Sequence, residues 1–330
     1  MDRSFDLITI GDSTIDTFIR IHDATVECDI NHESCKICVT YGSKIPVDSI
    51  AFSVAGNAAN VAVGAKRLGL NCAIYTNLGD DEHGKTIKKT LEKEGVANDY
   101  IRINPGKESN LSVVLTFQGE RTIFVYHQDW FYHLPDFDFA KWVYLTSMAE
   151  TFTNSNIVDE ICHYIDKSKA KLAFSPGTHQ LKTDIKRYPK LLEKCELLVV
   201  NMEETKRILV IDQNERADIG DYLSRLLLLG PKMAVITDGE GGSYATDGQK
   251  NLKMGVFSTH VFERTGAGDA YSAGLVSALI NNQTLEDAML WGTINASHVI
   301  QQIGPQKGLM AKQELLDHLR EAKNLKATKI

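Results

Sequence analysis

The sequence predicts an α/β fold with a mostly parallel, doubly wound sheet and a small β-sheet that serves as a lid. Strand-length apolar stretches alternate with helix-length stretches through much of the chain, as is typical of parallel α/β proteins. Two patches rich in β-branched residues, at about 17–53 and 108–130, predict antiparallel strands set apart from the main sheet, and the second includes a hairpin turning at Gly119. We expect one domain over residues 1–330 in which these patches form a lid over the ligand edge or, alternatively, protect a sheet edge.

The composition favours small molecules as partners. The 330 residues carry a net charge of −7 with scattered Lys and Arg, and the isoelectric point is about 5.8. A basic patch of the kind that binds nucleic acid or an anionic membrane is therefore not expected. No apolar run approaches the ~18 residues of a membrane span. The N-terminal apolar stretch is too short and too acidic for a signal peptide, so we expect a cytoplasmic protein.

The first predicted strand leads to two carboxylates. Residues 5–11 are rich in Ile and Leu with little alternation, as in a central strand buried on both faces. Asp12 and Asp16 follow at the carboxyl end of this strand, which is the edge of an open α/β sheet where ligands bind. An ionised Asp16 could accept hydrogen bonds from two hydroxyl groups of a polyol. The alternative is an aspartate that only forms a turn.

A helix rich in small residues follows the first β-rich patch. Alanines at 58, 59, 62 and 65 predict close packing on the sheet, and Gly69 predicts the end of the helix. Gly56, Asn57 and Asn60 cluster at its start. Asn57 and Asn60 share one face of the helix and could both reach a sugar hydroxyl. An N-cap role would explain Asn57 but not Asn60.

The rest of the chain alternates regularly between strands and helices. Strands are predicted at 72–76, 142–146, 171–175, 196–200 and 233–237, with helices at 81–94 and 154–169 and from about 203 and 218. Asn201 and Glu204 directly follow a buried strand and therefore lie at the carboxyl edge, where Glu204 could hold a water-clad magnesium ion. The alternative for Glu204 is a capping box at the start of a helix.

A glycine-rich loop follows the strand at 233–237. Its sequence, Thr-Asp-Gly-Glu-Gly-Gly, begins at Thr237 and includes Gly239. Such a loop allows the backbone to approach nucleotide phosphates closely. An ordinary hairpin turn is the alternative.

A second glycine loop, Arg-Thr-Gly-Ala-Gly-Asp-Ala at 264–270, leads directly into a helix. The unpaired N–H groups of a first helical turn form an anion site. Because Asp269 would repel a resident phosphate, we expect a site of phosphoryl transfer. The amides of Gly266, Ala267 and Gly268 would hold the developing charge, and Asp269 would accept or orient the proton of the attacking hydroxyl. The alternative is that Asp269 only caps the helix.

Four residues near the N-terminus have donor atoms suited to zinc. Cys28, His32, Cys35 and Cys38 could supply four ligands, and the Cys35 to Cys38 spacing is common in metal sites. The alternative, reduced thiols in a strand and turn, fits the irregular spacing of Cys28 and Cys35 better.

Together these motifs resemble the ribokinase family of sugar and nucleoside kinases, also called the PfkB family. They stand in the family's order: Asp16, the Gly-Asn helix start at 55–60, Asn-Met-Glu-Glu at 201–204, Thr-Asp-Gly at 237–239 and Thr-Gly-Ala-Gly-Asp at 265–269. Gly-Asp-Asp-Glu-His-Gly at 79–84 is similar to another family segment. The resemblance covers residues 5 to about 310.

The resemblance implies a ribokinase-like α/β/α sandwich with a β-sheet lid, and ATP with Mg²⁺ as the phosphoryl donor. It implies that Asp269 is the catalytic base for a primary hydroxyl and that Gly266, Ala267 and Gly268 form the anion hole. The other implied roles are sugar binding by Asp16, Gly56, Asn57 and Asn60, contact with ATP phosphates by Thr237 and Gly239, magnesium organisation by Asn201 and Glu204, and proximity to adenine for Asn295.

The chain departs from the family pattern at three places. Glu263 and Arg264 stand where many relatives have Asp-Thr, which puts the family's monovalent-cation site in doubt; the Arg264 guanidinium could assume part of that cation's role. Ser-Pro-Gly-Thr at 175–178 replaces an Asp-Pro-Asn-x-Arg sequence of many sugar kinases. The cysteine-bearing segment at 28–38 has no counterpart in the pattern, and it could shape the acceptor pocket or a lid-to-lid contact in a homodimer.

The sequence therefore predicts an ATP-dependent kinase for a ribose-like sugar. A nucleoside kinase is the alternative within the family, because aromatic residues of the lid segment could stack on a base or, instead, pack in the lid core. Those residues are Tyr126, Trp130, Phe131 and Tyr132. A non-catalytic ligand-binding protein is the alternative of another class. A nicotinamide dehydrogenase is disfavoured because no Gly-x-Gly-x-x-Gly follows the first strand.

Overall fold

The strands form a large sheet, a small sheet and a separate two-stranded hairpin. The computed structural model describes residues 4–29, 35–118, 120–212, 215 and 218–330. In chain order the strands are β1 (Ser4–Ile10), β2 (Thr14–Arg20), β3 (Thr25–Cys28), β4 (Cys35–Cys38), β5 (Ser49–Ala55), β6 (Cys72–Gly79), β7 (Ile101–Asn104), β8 (Leu111–Phe117), β9 (Glu120–Tyr126), β10 (Phe139–Leu145), β11 (Lys171–Phe174), β12 (Cys195–Asn201), β13 (Met233–Thr237), β14 (Ser243–Thr246), β15 (Asn251–Met254) and β16 (Thr328–Lys329). The helices are α1 (Asn57–Arg67), α2 (Glu82–Lys93), α3 (Ile157–Ser168), α4 (Thr178–Lys182), α5 (Pro189–Glu193), α6 (Met202–Leu209), α7 (Ile219–Leu227), α8 (Ala267–Ile280), α9 (Leu285–Val299) and α10 (Lys312–Glu321).

The large sheet confirms the predicted fold class. Its strand order is β16-β15-β14-β13-β12-β11-β10-β1-β6-β7. All pairs from β7 to β13 are parallel, and the pairs from β13 to β16 are antiparallel. The chain moves from β1 outward to β6 and β7 and then back to β10 on the other side. The strand order therefore reverses beside β1, where a crevice opens at the carboxyl ends of the strands.

Helices cover both faces of the large sheet because alternate side chains of its strands enter two different cores. In β1, Leu7 packs in a core with residues of α1, α8 and α9, whereas Ile8 packs in a core with residues of α3, α6 and α7. In β12, Leu197 packs in the same core as Leu7, and Leu198 packs in the same core as Ile8. Because every large aliphatic side chain buried in these layers contributes roughly 1.5–3 kcal/mol, the two cores together hold the sandwich.

The small sheet has the strand order β5-β2-β8-β9 and uses strands from both β-rich patches. β2 pairs antiparallel with β5, and β8 pairs antiparallel with β9. The pair β2 and β8 is parallel, which differs from the prediction of antiparallel strands only. The reason is that these two strands are not joined by a turn: the chain between them passes through the large sheet. The predicted turn residue Gly119 lies outside the described residues.

Close packing of α8 on α9 fixes the direction of α8. Gly274 of α8 lies so near α9 that a Cβ there would come within 2.7 Å of the carbonyl oxygen of Trp291. Most of α8 is buried. Because the helix cannot shift far in this packing, its first turn has a fixed position at the ligand edge.

The cysteine-bearing segment forms a hairpin of β3 and β4 outside both sheets. A disulfide joins Cys28 to Cys35, which differs from both predictions for these residues, reduced thiols and zinc ligands. Because disulfide sulfurs are not thiolates, the predicted zinc set is not supported, and His32 lies outside the described residues. Across the described ranges, no three His, Cys, Asp or Glu side chains are grouped as metal ligands, and no helix there is long and apolar enough to span a bilayer.

Candidate active site

The loop before α8 presents backbone N–H groups to open space. Gly266 is the N-cap residue of α8 with φ of +83°, and a Cβ there would come within 2.3 Å of the Pro305 Cβ. Apart from its chain neighbours and the backbone of its own helix, no atom lies within 4 Å of the position that a Cβ of Gly268 would occupy. Ala267 N–H donates a long, 3.3 Å hydrogen bond to the Arg264 carbonyl. Within the described residues the N–H groups of Gly266 and Gly268 have no acceptor, so this anion loop (residues 266–268) can receive a negative group.

Asp269 is held at the start of α8 by two asparagines of α1. Asn57 Nδ2 donates to Oδ1 of Asp269 at 2.9 Å, and Asn60 Nδ2 donates to Oδ2 at 2.7 Å. Gln306 Nε2 donates in turn to Oδ1 of Asn60 at 3.0 Å, which fixes the Asn60 amide. Burial raises the pKa of Asp269, and the hydrogen bonds from Asn60 and Asn57 oppose this rise because they stabilise the ionised form.

Gly56 allows α1 to begin beside the carboxyl end of β1. It is the N-cap residue of α1 with φ of +99°, and a Cβ there would come within 2.5 Å of the Asp12 carbonyl oxygen. Asn57 is thus the first helical residue and makes no capping bond, so the N-cap interpretation of Asn57 is wrong. Both asparagines instead donate hydrogen bonds to Asp269. Asn57 is exposed and Asn60 is buried.

Asp16 lies in β2, on the face of the small sheet that carries Ser112 and Val125 in the same row. Its side chain is buried. Burial raises the pKa of Asp16 to about 6, a hydrogen bond from Ser112 opposes the rise, and the charges of Asp269 and Glu263 add to it. Asp16 is therefore close enough to both Asp269 and Glu263 to be repelled by their charges.

Asp12 was expected at the ligand edge of the large sheet, with no role assigned to it, and its carboxylate is buried. Tyr132 Oη donates to it at 2.8 Å, and Ala149 N–H donates to Oδ2 at 2.8 Å. Burial raises the pKa of Asp12 to about 7, against the lowering effect of Tyr132, Ala149 and Asn110. These bonds tie the end of β1 to the segments at 132 and 149.

Asn201 and Glu204 form the capping box of α6, the alternative that the sequence left open. Asn201 N–H donates to Oε2 of Glu204 at 2.9 Å, and Glu204 N–H donates to Oδ1 of Asn201 at 2.8 Å. Burial is the main cause that raises the pKa of Glu204, and the charge of Asp269 contributes. Oε1 of Glu204 makes no hydrogen bond within the described part of the chain, so it remains open to a ligand.

The second glycine-rich loop lies beside this capping box. Thr237 pairs with Asn201 in the register of β13 and β12, and Gly239 follows with φ of +50°. Glu240, the next residue, accepts a 2.8 Å hydrogen bond from Arg264 Nη2. The loop at 237–242 and the segment before the anion loop therefore face each other.

Two predicted contacts are not supported. Asn295 is fully buried; its Nδ2 donates to the Ala270 carbonyl and its Oδ1 accepts from Met310 N–H, so it joins elements instead of facing a nucleotide. Arg264, which was expected to assume part of a monovalent cation's role, pairs with the exposed Glu240. The cation that pairs with Glu263 is Arg121 of β9, whose Nη1 lies 3.1 Å from Oε1 of Glu263. Arg121 and Gln306 lie far from the recognised motifs in sequence, so no local signal indicates them. Tyr132 was predicted as a lid aromatic and not as a partner of Asp12.

Most of the lid aromatics do not line the acceptor cleft. Trp130 and Tyr132 are buried as the packing alternative predicted, but in a core of the large sheet and not in a core of the lid. Tyr126 shares a row with Leu111 and Ile15, so it lies on the opposite face of the small sheet from Asp16. Phe131 is exposed.

Solved structures of kinases share this fold. Ribokinase of Arabidopsis thaliana, solved in complex with ribose and ATP, superposes with a TM-score of 0.80 at 20% identity over 96% of this chain and 99% of that one. A nucleoside kinase of Burkholderia thailandensis, solved in complex with inosine, gives a TM-score of 0.74 at 17% identity over 97% of this chain and 99% of that one.

A relative is also similar in sequence over most of the chain. The ATP-dependent 6-phosphofructokinase of Thermoanaerobacterium thermosaccharolyticum is 23% identical over 316 residues, 92% of this chain and 90% of its own length.

The fold and these relatives define the protein as a kinase, a phosphotransferase that acts on a sugar or a nucleoside. The model of the pfkB family carbohydrate kinases matches residues 19–312, and the chain belongs to this family. Membership implies the use of ATP. The resemblance inferred from the motifs is thereby confirmed.

Proposed function

We propose that this protein transfers the γ-phosphoryl group of ATP to the primary hydroxyl of a ribose-like sugar, with Asp269 as the base. The observation that carries the proposal is the Asp269 carboxylate, held at both oxygens by Asn57 and Asn60 directly beside the anion loop. A residue that only capped α8 would not need two amide donors from another helix. The relatives named ribokinase add support.

The reaction follows from this arrangement. The hydroxyl O–H gives its proton to Asp269 while its oxygen forms a bond to the γ-phosphorus, and the bond between that phosphorus and the β,γ-bridging oxygen breaks to release ADP. Charge on the transferred group is stabilised by the amides of the anion loop. The raised pKa of Asp269 makes it a better proton acceptor than an exposed aspartate, and its two amide bonds favour the ionised form.

The acceptor we infer is uncharged. Asp16 lies close enough to Asp269 and Glu263 to be affected by their charges, and the guanidinium of Arg121 is already paired with Glu263. A phosphate or carboxylate on the acceptor would meet this acidic surface at an electrostatic cost, whereas hydroxyl groups can donate to it. Asp16, Gly56 and Asn57 would hold the sugar, and Asn60 would act mainly by orienting Asp269.

The nucleotide would lie along the edge from Thr237 and Gly239 to the anion loop, with its phosphates near the backbone of the glycine-rich turn. The residues fit a magnesium ion bound mostly through water, because Glu204 keeps Oε1 open and Mg²⁺ takes few protein ligands beside phosphates. Glu204, with Asn201 fixing its side chain, would hold that ion. The ion would neutralise charge on the phosphates.

We further infer that a second copy of the chain covers the outer face of the small sheet, the face opposite Asp16. Ile50, Phe52, Phe124 and Tyr126 lie on this face by the strand register, and each is at least 45% exposed. An exposed apolar sheet face of this size favours association, and its self-complementary use in a two-fold dimer is the common case.

The test is ADP release from MgATP across an acceptor panel, with Asp269→Asn as the matched variant. The panel holds ribose, fructose, fructose phosphates, adenosine and cytidine. We expect turnover of a neutral sugar and a loss of about 10²–10⁴-fold in kcat for Asp269→Asn, the usual contribution of a general base. Preference for a nucleoside would favour the alternative acceptor. Binding without turnover would indicate the non-catalytic alternative, and turnover that survives in Asp269→Asn would exclude Asp269 as the base.

A further inference from the structure

An ion pair joins the small sheet to the segment that leads into the anion loop. Arg121 Nη1 lies 3.1 Å from Oε1 of Glu263. Arg121 is the second residue of β9, near the free end of the β8 and β9 hairpin, and Glu263 stands three residues before Gly266. The strand register puts Arg121 on the same face of the small sheet as Asp16. The pair therefore spans the cleft between the sheet and the loop.

Glu263 holds the residue that precedes the anion loop. Its Oε1 accepts from Thr265 N–H at 2.9 Å and from Thr265 Oγ1 at 2.6 Å. The backbone on the other side is fixed as well, because the N–H groups of Phe262 and Glu263 both donate to the Ile300 carbonyl. The Glu263 carboxylate thus sets the entry of the chain into Gly266.

The carboxylate of Glu263 needs a cation where it lies. Its side chain is 11% exposed, and Oε2 is buried without a hydrogen-bond partner among the described residues. A buried carboxylate with an unsatisfied oxygen is costly unless an opposite charge is paired with it. Arg121 supplies this charge, and it is carried by the small sheet. Displacement of the hairpin would remove the cation and weaken the arrangement of Glu263 and Thr265.

We propose that Arg121 and Glu263 form a latch that couples the position of the small sheet to the alignment of the anion loop. Both are positioning residues: Arg121 acts on Glu263, and Glu263 acts on Thr265 and through it on Gly266. The inference rests on the proposed function, since the anion loop matters only if phosphoryl transfer occurs there. Coupling of this kind is reciprocal, so the loop also holds the hairpin.

The first experiment measures hydrogen exchange of the two hydrogen-bonded amides of this stretch, those of Thr265 and Ala267, in Arg121→Gln, Glu263→Gln and the wild-type protein. Arg20→Gln is the matched control, because exposed Arg20 lies in the same row and on the same face as Arg121. We expect faster exchange, by about tenfold, in both latch variants and no change in Arg20→Gln. Unchanged exchange in Arg121→Gln would overturn the latch, and this readout does not require a known acceptor.

The second experiment compares kinetics in the same variants and in Arg121→Gln/Glu263→Gln. A latch predicts a fall of about tenfold or more in kcat for Arg121→Gln, no further fall in the double variant and an unchanged Kd for ADP. Arg121→Lys should restore part of the rate, and guanidinium chloride should restore part of it in Arg121→Ala when sodium chloride does not. Additive losses would contradict action through Glu263. An active Asp269→Asn enzyme would exclude Asp269 as the base and would leave the latch to be decided by the exchange of the loop amides, whereas normal kinetics in Arg121→Gln would overturn only the latch.

Discussion

At the scale of single residues, the carboxylate of Asp269 is controlled by amides and not by cations. Asn57 and Asn60 donate to its two oxygens, while burial acts in the opposite direction on its pKa. An amide donor stabilises the charged form without neutralising it. The amides therefore favour the ionised form, which is the form that a base in phosphoryl transfer needs to accept a proton.

The first prediction concerns pH. We expect the kcat/KM profile to fall at acidic pH as Asp269, whose pKa is raised, takes up a proton. Asn60→Ala removes a bond that lowers this pKa, so the acidic limb should move to higher pH. The measurement is the profile from pH 4.5 to 8 in both proteins, with Asn98→Ala as control because Asn98 also donates to a carboxylate, that of Glu92, away from the site. A limb that shifts equally in Asn98→Ala, or not at all in Asn60→Ala, would contradict the assignment.

The motifs predicted the local part of this site and missed the part supplied by distant segments. Asp269, Asn57 and Asn60 each stand in a recognisable stretch, so their types and positions could be read from the sequence. Their mutual bonds could not, because the two stretches are about 210 residues apart and meet only when α1 packs beside α8. Gln306 and Arg121 have no motif at all, and the burial of Asn295 depends on how α9 packs.

At the scale of elements, α8 positions the site through its contact with α9. The axis of α8 is set where Gly274 meets the backbone of Trp291. Strand and helix alternation predicted most of these elements because buried strands and packed helices have distinct periods. The parallel pairing of β2 with β8 was not predicted, since strand order depends on tertiary contacts that local patterns do not contain.

Gly274→Ala should therefore lower both stability and activity. The added Cβ would come within 2.7 Å of the Trp291 carbonyl oxygen, and the helices must separate to admit it, at a cost of about 1–3 kcal/mol. Ser277→Ala in the same helix is the control, because the Ser277 hydroxyl is buried without a partner among the described residues and its loss should be nearly neutral. Urea denaturation measures both free energies of unfolding. Equal stability of the two variants would show that α8 can shift freely.

At the scale of the whole molecule, the small sheet uses its two faces differently. One face carries Asp16 and Arg121 toward the cleft, and the other exposes Ile50, Phe52 and Phe124. The sheet could thus serve as a lid on one side and as a contact surface on the other. The composition predicted small-molecule partners, but it could not show which face of the sheet would be apolar, because that depends on register.

We expect the wild-type protein to be a dimer by light scattering at micromolar concentration and Phe52→Asp to be a monomer. The charge would lie in the centre of the proposed contact, where its desolvation opposes association. Leu228→Asp is the control, because Leu228 is 85% exposed at the end of α7, away from the small sheet. A monomeric wild-type protein, or equal dissociation in both variants, would contradict the proposed dimer.

The hairpin of β3 and β4 offers a practical route to follow the small sheet in solution. Of the four cysteines outside the disulfide, Cys72, Cys162 and Cys195 are buried and Cys38 is partly exposed. A maleimide dye should therefore label the native chain at one place, on the segment between two strands of the small sheet. Energy transfer from the native tryptophans to a dye on Cys38 could report movement of the β3 and β4 hairpin on ligand addition without any engineered cysteine.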